Sequence, residues 1–292
     1  MKSESKPSDV TIGLIQMSSG EDTGANLKKA VKKIEDAAEK GAQLICLPEL
    51  FRSQYFCQEE DPGKFDLAES IPGETTKAIS EVAKRKKVAV VAGIFEKRAQ
   101  GLYHNSAVVM DSDGSIVGKY RKMHIPDDPH YYEKFYFAPG DLGFKAHKTS
   151  YGNVGVLICW DQWYPEAARL TSLLGSQVIF YPTAIGYFPE EKKAMEGMRD
   201  AWETIQRSHA IANGVFVASV NRVGREGTTN FWGSSFVAGP FGEILAKASA
   251  DKEETLIAKC DLKSIDETRH AWPFLRDRRI DAYHGIDSRF LE

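Results

Sequence analysis

The sequence predicts an α/β protein folded as a single domain around mixed sheets. Three observations carry that expectation. Apolar runs rich in valine and isoleucine recur along the whole 292 residues, and most are continuous, which marks strands covered on both faces. Amphipathic patterns of helical period separate several of them, so strand and helix alternate. One pair of runs instead meets at an Asp113-Gly114 turn, a hairpin signal that makes the sheets mixed rather than purely parallel.

In chain order, "VTIGLIQM" opens as a strand and "NLKKAVKKIEDAAEKGA" follows as a helix. Leu27, Val31, Ile34 and Ala38 form its apolar stripe, lysines lie opposite, and Gly41 is placed to stop it. "AQLICLPEL" is a strand running into Pro48, "GETTKAISEVAKRKK" a helix, and "VAVVAGIF" a buried strand. "GLYHNSAVVMDSDGSIVGKYRKMH" reads as the hairpin. Strand "VGVLICWD" leads into helix "PEAARLTSLLG", with Pro165 at its start, and strand "QVIFYPTA" into helix "KKAMEGMRDAWETIQRSHAIANG". "VFVASVNRV", "SSFVAGP" and "TLIAKCDL" close the set of strands. No linker, low-complexity tract or internal repeat divides the chain, so one domain is expected over residues 8–262. Residues 263–292 form an extension whose Trp272, Phe274 and Tyr283 suit packing at an oligomer interface.

Composition excludes several function classes. Lys+Arg number 38 against 41 Asp+Glu, a net charge of -3, so no basic surplus is offered to nucleic acid or to an anionic membrane. The N-terminal stretch is polar and no apolar run reaches the roughly 18 residues of a membrane span, so neither signal peptide nor span is expected and the protein reads as cytoplasmic. Cys46, Cys57, Cys159 and Cys260 show no C-x-x-C pair and no close histidine, which argues for reduced thiols and against a zinc site.

Three stretches could carry chemistry. Glu49 in "LICLPEL" stands at the carboxyl end of a buried strand, where α/β proteins keep their ligands, although alone it could be a solvated loop glutamate. Lys122, among other basic residues in "VGKYRKMHIP", could equally be surface. Cys159 ends an apolar strand, as does Cys46, but polar "DQ" and a helix start follow it. A helix N-terminus there is expected to lower the thiol pKa and to hold developing negative charge. Together the three make a coherent set: a thiol nucleophile, a carboxylate base and a cation for an oxyanion. The seven histidines show no arrangement marking one as the base.

Glu49 in "LPEL", Lys122 in "YRKMHIP" and Cys159 in "ICWDQWYPEAAR" resemble, in order and spacing, the Glu-Lys-Cys triad of the nitrilase, or carbon-nitrogen hydrolase, superfamily. The likeness continues from "IGLIQM" through "NRVG" to "WGSSFVAGPFGEIL". It implies a four-layer α-β-β-α sandwich of two mixed sheets, a homo-oligomer, and no metal or organic cofactor. It also assigns Glu133 in "YYEKFYFAPGD" to orienting the lysine. "HIPDDPHYYEKFYFAPGDLGF" and "ICWDQWYPEAARL" followed by "YPTAIG" are most similar to members acting on N-carbamoylputrescine, which implies hydrolysis to putrescine, carbon dioxide and ammonia through a carbamoyl thioester.

Such a small-molecule substrate ends in a primary ammonium, which calls for a carboxylate, whereas an N-carbamoyl amino acid calls for arginine. Asp127, Asp128, Glu190 and Glu191 are the acidic candidates, and Trp160 is a further candidate for substrate contact. Tyr187 and Phe188 depart from the small or acidic residues usual after "YPTAIG", so the pocket for the amine can differ. Sibling activities (β-ureidopropionase, N-carbamoyl-D-amino-acid amidase, aliphatic amidase), a thiol-dependent transferase and a non-catalytic scaffold remain as alternatives.

Overall fold

The computed structural model describes residues 9–292, so the expected domain start at residue 8 lies outside the described residues. All nine Val/Ile-rich runs form strands. The chain opens with β1 (Asp9–Gln16), α1 (Thr23–Glu39), β2 (Leu44–Cys46), α2 (Glu74–Lys86), β3 (Ala89–Ala99), β4 (Leu102–Met110) and β5 (Ile116–Arg121). After the short α3 (Glu133–Tyr136) come β6 (Ala146–Thr149), β7 (Gly152–Val156), α4 (Pro165–Leu173), β8 (Val178–Pro182), β9 (Gly186–Tyr187), α5 (Met195–Asn213) and β10 (Phe216–Val220). β11 (Val223–Glu226), β12 (Thr229–Trp232), β13 (Phe236–Ala238), β14 (Ile244–Lys247), β15 (Glu254–Asp261) and α6 (Lys263–Ala271) follow.

Local chemistry sets the boundaries. Asp22 caps α1 by accepting from Ala25 N at 2.9 Å, and Gly41, at φ 90°, lets the chain leave it. Gly214, at φ 56°, does the same for α5. β2 is only three residues long because Pro48 brings no N–H to the sheet; Leu47 N still donates to Val91 O at 3.0 Å before the chain turns away. The hairpin β4–β5 is antiparallel and turns at Gly114, φ 86°.

Two six-stranded sheets result, in the orders β15-β1-β2-β3-β4-β5 and β14-β13-β10-β8-β7-β6. In each, three parallel strands (β1, β2, β3 and β7, β8, β10) form the centre and antiparallel strands flank them. The sequence holds no repeat, yet the topology is repeated, with β15 returning from the far end of the chain to take the place β6 has in the second sheet. A small sheet, β11-β12-β9, was not foreseen; its strands are short and partly polar.

Burial alternates along the strands in a way that shows both faces covered. Leu44, Cys46, Val91 and Val109 join Val156, Phe180 and Val217 in the core between the sheets. Ile45, Val90, Ala92 and Val108 point the other way, onto Leu27 and Ile34 of α1 and Ile79 and Val82 of α2. α4 and α5 lie against the second sheet. The expected four layers are present. α6 packs through buried Ile265, and Arg269 donates to Asn213 O at 3.1 and 3.0 Å; beyond it Trp272, Ile280, Ile286 and Phe290 are exposed. Among the described residues no helix is long and apolar enough to cross a membrane.

The loop after β5 is held tightly. Gly140 N donates to Lys122 O at 2.8 Å, and a Cβ at position 140 would come within 2.1 Å of Arg121 O. Gly140→Ala is therefore expected to destabilise the fold by about 1–3 kcal/mol, read as a lowered urea midpoint, because the methyl must push the strand end away.

Candidate active site

Glu49 lies three residues past β2 on a loop that Arg222 holds in place. The buried guanidinium of Arg222 donates to Glu49 O at 3.2 and 2.9 Å, to Leu50 O at 2.6 Å and to Ser53 O at 2.9 Å. It also pairs with both oxygens of Glu226 at 3.0 and 2.8 Å, and Glu226 accepts from Tyr55 N at 2.7 Å. Leu50 is left-handed, at φ 49°, and Gly93 leaves room for it, since a Cβ there would sit 2.8 Å from Leu50 N.

Lys122 leaves the end of β5 directly opposite, and three carboxylate oxygens surround its ammonium. Nζ donates to Glu49 Oε1 at 2.8 Å and to Glu133 Oε1 and Oε2 at 2.9 and 2.7 Å. All three side chains are buried. Burial alone pushes the ammonium towards neutrality, but the charges of Glu133 and Glu49 outweigh it and hold Lys122 well above the ordinary lysine range. Glu133 is pushed up to about 7 by burial, with Lys122 opposing and Glu49 adding to the rise. Its Oε1 also accepts from Tyr55 OH at 2.8 Å.

Asn105, on β4, donates from Nδ2 to Glu49 Oε1 at 2.7 Å. That oxygen thus accepts from both Lys122 and Asn105, while Glu49 Oε2 is buried with no hydrogen-bond partner among the described residues. The flanking residues Ser106 and Arg121, which are paired in register, point to the other sheet face and both donate to Glu96, at 2.6 and 2.8 Å. One face of the strand pair carries the site and the other anchors it.

Cys159 does not begin an α-helix. It stands at φ 43° at the head of a tight 3-10 turn, Cys159–Trp163, and α4 starts only at Pro165. The expected lowering of the thiol pKa is overturned: burial first, then the charges of Glu49 and Glu133, push it well above its ordinary value, against Lys122 and a weak contact to Ala184 O at 3.8 Å. The polar "DQ" pair is internal scaffold. Asp161 accepts from Ile158 N and Tyr120 OH at 2.8 Å each and from His124 N at 3.1 Å, tying the cysteine turn to the lysine loop. Gln162 accepts from Trp202 Nε1 at 2.8 Å and its carbonyl faces His209.

A cavity of about 580 Å³ opens onto Cys159 and Glu133. Trp160, Asp128 and Glu190, each singled out from the sequence, line it, as does Glu191; Asp127 does not. Glu191 is partly engaged, since its Oε2 accepts from Phe188 N at 2.9 Å. Phe188 forms wall, whereas Tyr187 pairs with Asn230 in the small sheet. The Nε1 atoms of Trp163 and Trp232, two further lining residues, are buried without hydrogen-bond partners among the described residues. Among the described residues no three His, Cys, Asp or Glu side chains converge as a metal-binding group.

Sequence reasoning missed Asn105, Tyr55, Glu226 and the work of Arg222. The only signal was "NRVG", noted as part of a resemblance without a role for its arginine.

A family profile described as carbon-nitrogen hydrolase matches residues 11–270. An N-carbamoylputrescine amidase of Oryza sativa subsp. japonica is 42% identical over 285 residues, covering 94% of this chain and 94% of its own. A citrullinase of Francisella tularensis subsp. tularensis (strain SCHU S4 / Schu 4) is 38% identical over 287 residues, covering 97% of this chain and 99% of its own. The crystal structure of a carbon-nitrogen hydrolase from Helicobacter pylori G27 superposes with a TM-score of 0.94 at 48% identity, covering 97% of this chain and 100% of that one.

A thiol raised this far is protonated at neutral pH. Alkylation of Cys159 by a neutral reagent, followed by peptide mapping, should accelerate steadily from about pH 6 to about pH 9. A rate already level at neutrality would instead reveal a resting thiolate.

Proposed function

The chain belongs to the carbon-nitrogen hydrolase family, and from that premise we propose that it converts N-carbamoylputrescine and water to putrescine, carbon dioxide and ammonia. It is a hydrolase of C–N amide bonds acting on a small molecule. The observation that carries the choice of substrate is the charge of the cavity wall. Asp128, Glu190 and Glu191 line it, and no lysine or arginine does so among the described residues. A distal ammonium pairs with such a wall, while a substrate ending in a lone carboxylate is repelled.

The proposed mechanism follows from the group contacts. Cys159 Sγ bonds to the ureido carbon as its proton passes to Glu49, whose Oε2 is free to take it. The carbonyl electron pair moves onto oxygen, which the Lys122 ammonium and the Trp160 amide hold. Glu133 keeps Lys122 charged and aimed. Glu49 returns the proton to the departing nitrogen, ammonia leaves, and a carbamoyl thioester remains on sulfur. Water then adds to the thioester carbon, giving a proton to Glu49. The C–S bond breaks, the thiol recovers that proton, and the carbamic acid loses carbon dioxide to give the amine.

A second reading has its own support. Citrulline also presents a ureido group and a distal ammonium, and adds a carboxylate that the unpartnered indole N–H groups of Trp163 and Trp232 could meet. Four free, buried cysteines suit a reducing, cytoplasmic setting, and the net charge of -3 supports the absence of a nucleic-acid partner.

Ammonia and amine release should be measured with N-carbamoylputrescine, citrulline, N-carbamoyl-β-alanine and an aliphatic amide. The first is expected to be the best substrate, and Cys159→Ala to lose activity on the order of a thousandfold or more. Best turnover of citrulline would replace the first reading by the second. Asp128→Asn and Glu190→Gln should each raise KM for N-carbamoylputrescine about tenfold with kcat little changed. An unchanged KM removes that residue from the amine subsite.

We infer too that the chain forms a homo-oligomer. Leu170 and Leu173 of α4 and Leu174 directly after it are exposed to solvent, and Ile286 of the C-terminal extension lines the same cleft as the first two. Light scattering should give a mass above 32.5 kDa that Leu173→Glu lowers towards it. A monomeric native protein would end this inference.

A further inference from the structure

Tyr131 lines the cavity that opens onto Cys159, and its phenolic oxygen is buried without a hydrogen-bond partner among the described residues. The Gly186 amide faces that oxygen without reaching hydrogen-bond geometry. A buried hydroxyl left unsatisfied is costly, so its presence in a packed wall asks for an occupant. The ring has little freedom to turn away. It packs 5.7 Å from the Tyr55 ring and 6.0 Å from Phe188, and Tyr131 N donates to Asp128 O at 2.8 Å. Burial pushes the phenol above the ordinary tyrosine range and keeps it protonated. Tyr131 and Cys159 line the same cavity, and the hydroxyl faces it as a neutral group.

We propose that Tyr131 Oη accepts the N–H of the substituted ureido nitrogen, and that this contact makes the site prefer ureido compounds over plain amides. The inference rests on the ureido reading above. The oxyanion partners take the carbonyl oxygen and Glu49 serves the departing nitrogen. The second ureido nitrogen remains, and because its lone pair is delocalised into the carbonyl it can only donate. It needs a neutral acceptor close to the sulfur, one that does not strip its proton, and a protonated phenol meets both conditions. In a plain amide the same position is a methylene, which offers the hydroxyl no donor. A site built to pair with an N–H discriminates against the analogue that lacks it.

The test compares N-carbamoylputrescine with 6-aminohexanamide, in which methylene replaces the N–H, for wild type and Tyr131→Phe. Phenylalanine keeps the ring packing and removes only the oxygen. The ratio of kcat/KM values, ureido over amide, should fall about tenfold in the variant, mainly through the ureido substrate. Should Tyr131 serve packing alone, both substrates decline together and the unchanged ratio overturns the proposal. If wild type prefers citrulline, the same ratio is taken with citrulline and its methylene isostere, which separates failure of the substrate choice from failure of this contact. Wild-type turnover of the amide with no ureido compound accepted overturns both. The rate of Cys159 alkylation, unchanged in Tyr131→Phe, verifies that the site remains folded.

Discussion

The ammonium of Lys122 is the point on which the rest of the structure depends. It is a cation sealed from water between two carboxylates, with distances of 2.7–2.9 Å to three of their oxygens. A buried ion is tolerated only when its partners are close and their remaining lone pairs are used. Here the acids outnumber the base, so the cluster carries excess negative charge when both are ionised. Glu133 absorbs that excess: burial pushes it up to about 7, and Tyr55 OH and Lys122 share its oxygens. Asn105 satisfies Glu49 Oε1 without adding charge. Breaking any one of these contacts strands a buried ion, so four separate chain segments must meet with little tolerance.

The duplicated sheet plan explains how they meet. Each sheet has a parallel centre, and the loops leaving the carboxyl ends of β2 and β7 carry Glu49 and the Cys159 turn respectively. Lys122 arrives from an antiparallel strand, so its placement needs support that a parallel crossover would otherwise give. Glu96 supplies it from the opposite face. Burial works against its charge, but Arg121, Lys119 and Ser106 overcome that and hold its carboxyl at about 2. The Arg222–Glu226 pair has the same role for the glutamate loop, binding main-chain carbonyls of three residues that have no strand to pair with.

Much of this was legible in the residues. The nine apolar runs marked nine of the twelve strands of the two large sheets, most of them buried on two faces, and Pro48, Gly41 and Pro165 marked where elements end or begin. Glu49, Lys122 and Cys159 stood out only as a set, since each has an ordinary reading alone. Asn105, Tyr55 and Glu226 were not legible. A single polar residue in a strand or loop looks like surface until the fold shows which way it points, and apart from the Arg222–Glu226 pair the site contacts of these three reach residues 28 or more positions away. The thiol environment was misread for a related reason. Sequence showed a helix following Cys159 but not the 3-10 turn between them, nor the two carboxylates that folding brings beside the sulfur.

That misreading matters for mechanism. A thiol activated in advance by helix amides would react with any electrophile reaching the cavity. Cys159 is instead held protonated by burial and by Glu49, the same group proposed to accept its proton. Moving that proton onto Glu49 removes the repulsion between carboxylate and developing thiolate, while Lys122 remains to hold the charge passing to the oxyanion. Deprotonation is thereby favourable only as the S–C bond forms. On the proposed mechanism the nucleophile is generated by a correctly seated substrate, and the acids and the Tyr131 hydroxyl of the cavity wall decide which substrates are seated correctly.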